Sequence, residues 1–398
     1  MSNVLVGRGT SGDFVKQTQG TATAEGFSCV SRLWYPKTHD YAFGLEQIEK
    51  GIQSREDITS KLSQVSAVVN DAGKLALAFE DGREFVPNTH ALKQFALRIG
   101  VPQTTVKHLT ESWTEPEDSA LLRMVFNRGL QRFQRDAKNP DAQKFIFRTY
   151  NDATCRAVLT DSFATIDNRW YIELLERAIP GGRLSHWKGD ADEVFGNVLI
   201  PDSVRKEDDS DYGGMISIGN SEIGTGRLEQ YPSLFRAICM NGCIWDQEKG
   251  SEINQVHRGK IDLQMLARRI IKNLNDQIPL LDTIIEKVLA LRANDFAIGT
   301  VKVPQVYACL GQRFGLTPKM ARCSNEQFVK HESGNRNLFG IIQGLTRQSQ
   351  EEKNADWVAI DKIAGKLSKW DSDSWSNFVH QAGTFTESQV SEALGLAV

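Results

Sequence analysis

The chain of 398 residues is long enough to bury a sizeable core and to divide into two or three domains. With 24% charged and 40% apolar residues, a formal net charge of -3 and a pI near 6.2, it has no overall pull toward nucleic acid or an anionic membrane, so a polyanion site has to come from a local basic surface. No stretch approaches the roughly eighteen apolar residues of a membrane span, and MSNVLVGRGTSGDF lacks the basic flank and apolar run of a secretory leader, which predicts a cytoplasmic protein.

The first thirty residues are rich in Gly, Ser and Thr and predict irregular chain. Asp81-Gly82 between two apolar runs predicts a hairpin that pairs 74–79 with 83–86. Leu92, Phe95, Ala96 and Ile99 recur at helical spacing, with Asn88 or Thr89 as cap and Gly100 as stop. A second helix is expected over 118–136, ended by Asn139-Pro140. KFIFRTY and TCRAVLTD read as two short strands joined at Asn151-Asp152, and IDNRWYIELLERAI as a helix capped by Asp167 or Asn168 and ended by Pro180-Gly-Gly. GNVLIPDS, MISIGNS and SLFRAICM are three further extended runs, and VRKEDDSDY an exposed charged connection. From Leu263 to Leu289 apolar residues recur at threes and fours, giving one long helix or two broken near Pro279. The fold class is therefore α+β: a central antiparallel or mixed sheet with flanking helices and a largely helical C-terminal region. Its expected divisions are 1–115, 116–250 and 251–398.

Six cysteines, Cys29, Cys155, Cys239, Cys243, Cys309 and Cys323, are too sparse for a disulfide framework and are expected buried and reduced. Cys239 and Cys243 come nearest to a metal spacing, but zinc needs two more ligands, for which Cys155 and His257 are the candidates. The chain has no Walker A loop, no H-E-x-x-H pair and no G-x-S-x-G elbow. No cofactor is expected from motif.

Polar residues at strand ends and turns are the best candidates for a site, because a sheet aims them rigidly. One group is Arg148, Asn151, Arg156, Asp161 and Asp167. A second is Asn220, Ser221 and Glu222, with Arg227; the flanking Gly219 and Gly224 allow a sharp turn or close approach of a ligand. A third is Asn241 and Gly242, after the strand of Arg236. Asp161, Asp167 and Glu222 would, as an alternative, hold Mg²⁺ or Mn²⁺ for phosphodiester hydrolysis by a nuclease.

The charge pattern points elsewhere. Between residues 123 and 156 stand eight Lys/Arg, opposed only by Asp136, Asp141 and Asp152. Arg128, Arg132 and Arg135 fall along one side of a helix, and Lys144, Arg148 and Arg156 follow on the strands. Phe126, Phe133, Phe145, Phe147 and Tyr150 are interleaved. Cations for phosphates and rings for bases are the recipe for single-strand binding, with Tyr150 or Phe147 as the stacking group. Arg236 joins this set, and His257, Arg258, Lys260, Arg268, Arg269 and Lys272 make a second basic segment. The opposing expectation is a solvated helix face above a core stripe of Phe126 and Phe133.

RAVLTDSFATIDN, ISIGNSEIG, CMNGCI and NLFGIIQGLTRQSQ, in that order, with THALKQFALRIGVP before them, resemble the phage- and plasmid-related family called domain of unknown function 932, over roughly residues 85–365. The chain departs from the family pattern at Gln343 and Gly344, where an Asn-Ala pair is usual, and keeps Thr346. The resemblance implies an accessory protein of a mobile element. The function expected on that basis is an ATP-independent single-stranded DNA-binding and annealing protein, acting as a homo-oligomer in recombination or replication. A metal-dependent phosphodiesterase is the second expectation, and a non-enzymatic phage–host interaction or anti-defence protein the third; a neutral or acidic surface around 123–156, with a large apolar patch elsewhere, would favour the third.

Overall fold

Period-two burial and hydrogen-bonded register set the strands, and side-chain caps set most helix starts. A computed structural model describes residues 38–106, 116–137, 143–207, 210–236, 241–244, 253–351 and 356–396. The expected irregular N-terminus, Cys29, Lys138, Cys239 and part of the charged connection before Ser210 lie outside them.

The first sheet is built from β1 (Arg55–Lys61), β2 (Val65–Val69), β3 (Leu75–Phe79), β4 (Glu84–Pro87), β5 (Lys144–Tyr150) and β6 (Thr154–Thr160), in the order β1-β5-β6-β4-β3-β2. Asp81-Gly82 turns β3 into β4 with Gly82 at φ 83°, a conformation that glycine adopts without strain, and Leu77 faces Phe85. The single parallel pair, β4 with β6, makes this sheet mixed. Two helices cover it. One, α1 (Thr89–Arg98), is capped by Asn88, whose side chain accepts from the amide of Ala91 at 2.8 Å. The other, α2 (Pro116–Asp136), stacks Phe126 on Phe95 at 5.7 Å. This core holds Leu77, Phe95, Phe126, Phe145 and Phe147. The sheet draws strands from both sides of residue 115.

The second sheet is antiparallel and has seven strands: β7 (Arg183–Gly189), β8 (Glu193–Leu199), β9 (Arg205–Glu207), β10 (Ser210–Ser221), β11 (Leu228–Arg236), β12 (Asn241–Ile244) and β13 (Ile253–Gln255). On it pack α3 (Asn168–Ala178), capped by Asp167, and the helix Tyr41–Gln53. The chain then turns helical: α4 (Leu263–Gln277) and α5 (Leu281–Ala290) are separated by a single turn at Pro279, and among the described residues six more helices follow from Val303 to Ala393. Gly214 lets α5 approach β10, since a Cβ there would stand 2.1 Å from Leu281 Cδ1. This larger core gathers Tyr171, Ile216, Leu274, Ile285, Tyr307, Phe339 and Trp375.

The α+β architecture, with central sheets, flanking helices and a helical C-terminal region, is the one expected. The two cores are separate apolar clusters, bridged by a small third one of Ala157, Leu159 and Ile223. Among the described residues no helix is long and apolar enough to cross a membrane.

Candidate functional site

Strand alternation puts four charged or polar side chains of the first sheet on one face. Arg55 and Asp57 are two apart on β1; Arg148 and Tyr150 are two apart on β5; and the register pairs Arg55 with Tyr150 and Asp57 with Arg148. That face meets the end of β10 in the second sheet. Glu222, fully buried, accepts from Arg55 Nη1 at 2.8 Å, from Arg148 Nη1 at 3.5 Å and from the backbone N–H of Asn168 at 2.7 Å. Arg148, 2% exposed, also forks onto Asp57 through two bonds of 2.8 Å and donates to the Glu222 carbonyl at 2.6 Å. Burial pushes the Glu222 carboxyl above its ordinary range, opposed by Arg55 and the Asn168 amide.

The neighbouring polar groups are committed in the same way. Asn220 donates to Ile166 O and to Asn168 Oδ1, both at 2.7 Å. Asp192 takes the Tyr150 hydroxyl and Arg156 at 3.1 Å, and the Arg156 guanidinium lies 3.9 Å over the Tyr150 ring. Ser221 bonds Thr225 Oγ1 at 2.7 Å and Glu193 at 3.4 Å. Burial, with Asp190 adding to it, pushes the Glu193 carboxyl up to about 7.

The structure therefore brings together Arg148, Tyr150, Arg156, Asn220, Ser221 and Glu222, which the sequence singled out: Arg148 bonds Glu222 and Arg156 lies over Tyr150, while Asn220 and Ser221 bond other residues of the junction. Asp167 stands beside them as the cap of α3, accepting from Trp170 N at 3.0 Å, while Asp161 is exposed in the turn after β6. Asn151 sits in the exposed turn after β5, and Arg227 bonds Asn254 at 3.0 Å. Among the described residues no group of three or more His, Cys, Asp or Glu could hold a metal ion. Arg236 and Asn241 pair through their backbones between β11 and β12, with Gly242 opposite Phe235; the side chains of Arg236, Asn241 and Cys243 lie outside what is described. Sequence reasoning missed Arg55, Asp57, Asn168, Asp192 and Glu193. The signal for the first two was the alternation of REDITSK, where Ile58 is buried between exposed Asp57 and Thr59.

The basic run is divided by this arrangement. Arg132 and Arg135 pair with Asp136 at 3.4 and 2.6 Å on the exposed side of α2, and Arg128 bonds Gln131 at 3.4 Å. Lys144 is exposed at the start of β5, opposite Lys61. Phe126, Phe145 and Phe147 are core residues and Tyr150 is 2% exposed, so none offers a face to a base.

Exposed cations and apolar residues lie close in the chain instead at 256–272. His257 stacks on Phe163 with centroids 5.2 Å apart, and its Nδ1 lies 3.0 Å from Ala164 O. Its neighbours Val256 and Arg258 are exposed. Asp262 caps α4, accepting from Gln264 and Met265 amides at 2.9 and 3.0 Å. Leu266, Ile270 and Leu274 face the core, so Met265, Arg268, Arg269 and Lys272 share the outward stripe. Met265 is 66% exposed and Val256 51%. Lys272 pairs with Asp276 at 2.8 Å, but among the described residues Arg258, Lys260, Arg268 and Arg269 have no ion pair.

No family model, no curated protein and no solved structure matches the chain. This overturns the resemblance to domain of unknown function 932 and the phage- or plasmid-related identity drawn from it. The expectation of single-stranded DNA binding and annealing is corrected with it. Its physical basis, a basic groove lined with accessible rings, is absent from the described residues, because Arg148 and Arg156 neutralise carboxylates inside the protein and the rings build a core.

Proposed function

We propose that the protein is a non-enzymatic interaction protein that binds an acidic, partly apolar segment of another protein through the surface at 256–272. The observation that carries this reading is the company kept by Met265: an exposed apolar side chain on one helical stripe with Arg268 and Arg269, a few residues along the chain from exposed Val256, Arg258 and Lys260. Exposed apolar side chains near cations that have no ion pair among the described residues favour a partner that supplies both carboxylates and large apolar side chains. His257 and the Asp262 cap hold the surface on rigid elements, which lowers the ordering cost of association. At the buried junction most polar groups bond one another, while Asn220 Oδ1 has no partner among the described residues. A cytoplasmic location fits the buried free thiols of Cys155 and Cys309.

The test is fluorescence anisotropy with a labelled peptide that alternates Glu with Leu and Phe, against polyglutamate of equal charge. Wild type is expected to bind the mixed peptide at least about tenfold more tightly, a difference of about 1.4 kcal/mol. Arg268→Glu/Arg269→Glu should abolish binding, and Met265→Ser should weaken it even at high salt, where ionic attraction is screened. Equal affinity for polyglutamate, or unchanged binding by both variants, refutes the proposal.

A further inference from the structure

The C-terminal helices enclose a second feature, remote in sequence from the surface just described. The last helix, Glu387–Ala393, leans on the helix Val303–Phe314 and on the start of the helix Pro318–His331. Between them lies a cavity of about 510 Å³, within the range of roughly 300–1,000 Å³ typical of small-molecule sites. We propose that this cavity is a binding site for a small organic cation, an amine carried on an aromatic or aliphatic body.

The lining decides the ligand class. Leu316, Pro318, Phe385 and Ala393 supply apolar surface, and Phe385 is half-buried, so its ring is held while remaining accessible. Glu392 is the one formally charged residue of the lining. Its carboxylate has no ion pair among the described residues. Thr384 donates its hydroxyl to Gln381 O at 2.8 Å, which leaves the oxygen lone pairs to accept from a ligand. Gln312 adds an exposed amide.

Three cations of the region are engaged, while Lys319, exposed beside Pro318, has no ion pair among the described residues. Arg313 lies 5.1 Å over the Trp370 ring, Arg322 donates to Gly395 O at 3.2 Å, and Lys302 pairs with Glu387 at 3.2 Å. The lining itself holds no cation for an anion, whereas an ammonium meets the Glu392 carboxylate, hydroxyl and amide oxygens, and an aromatic face.

Isothermal titration calorimetry with phenethylamine as probe tests the assignment, with 2-phenylethanol and 3-phenylpropionate as the neutral and anionic counterparts. Phenethylamine is expected to saturate a single site and to bind at least about tenfold more tightly than either counterpart, since an ionised hydrogen bond is worth about twice a neutral one. Glu392→Gln, an exposed substitution at a helix end, should erase that preference while leaving the unfolding temperature unchanged. Ala393→Phe should obstruct the cavity and weaken binding of all three probes. The proposal is overturned if phenethylamine shows no saturable heat up to about 10 mM, if the alcohol binds as well as the amine, or if Glu392→Gln binds like wild type.

Discussion

Replacing Glu222 by alanine is the most severe single perturbation that the junction allows. Three donors lose an acceptor at a site with no solvent exposure: Arg55 at 2.8 Å, Arg148 at 3.5 Å and the Asn168 amide at 2.7 Å. Arg148 keeps its fork on Asp57 and Arg55 keeps Ala191 O at 3.2 Å, so the loss is partial for each cation. Removing one partner of a buried pair costs about 3–5 kcal/mol, and Glu222→Ala is expected in the lower half of that range. Glu222→Gln keeps the shape and one acceptor and should cost about 2 kcal/mol. The junction also joins two separate cores, and the tryptophans whose side chains are described, Trp170, Trp187, Trp370 and Trp375, all belong to the larger one. Urea unfolding followed by tryptophan fluorescence and by far-UV circular dichroism therefore reads coupling as well as stability. Wild type should give coincident curves; in Glu222→Ala the dichroism should fall before the fluorescence. Adding Arg55→Met to Glu222→Ala should recover part of the loss, because the uncompensated cation leaves with the carboxylate. A loss below about 1 kcal/mol with coincident probes would refute the reasoning.

Three further outcomes are expected. The Glu193 carboxyl is pushed up to about 7 in the folded protein against 4.5 in the free side chain, so folding favours its protonated form. Stability from this group is then fully present below about pH 4.5 and is lost as pH rises through about 7. Partial exposure limits the effect to about 1–2 kcal/mol; Glu193→Gln should flatten the stability profile in that window, and a parallel profile would count against it. Burial pushes the Cys155 thiol up to about 12 and the Cys309 thiol up to about 11, so peptide mapping after treatment of native protein with a thiol-exchange reagent at pH 8 should find both unmodified, and both modified in urea. Gly214→Val would drive its side chain into Leu281, whose Cδ1 stands 2.1 Å from the added Cβ; a loss of about 1–3 kcal/mol in urea unfolding is expected, and an unchanged midpoint would mean that α5 moves freely from β10.

What the sequence determined by itself is what neighbours in the chain decide. The Asp81-Gly82 hairpin, the Asn88 and Asp167 caps, the break at Pro279 and the strands KFIFRTY and TCRAVLT all depend on residues within a few positions, and each is found where it was expected. Asn220, Ser221 and Glu222 were legible as a polar group at a strand end for the same reason. Their chemistry was not. Glu222 meets Arg148, 74 residues away, and Arg148 meets Asp57, 91 residues away. A run of cations carries no mark of whether distant carboxylates neutralise it, so Arg148 and Arg156 read as a phosphate-binding surface until the two sheets were brought together. Met265 and Arg269 could be placed on one helical stripe from spacing alone, but which stripe faced water was settled by the packing of Leu266, Ile270 and Leu274 into the larger core. Charge count and periodicity are local properties, whereas compensation and exposure arise only when segments far apart in the chain share one low-dielectric interior.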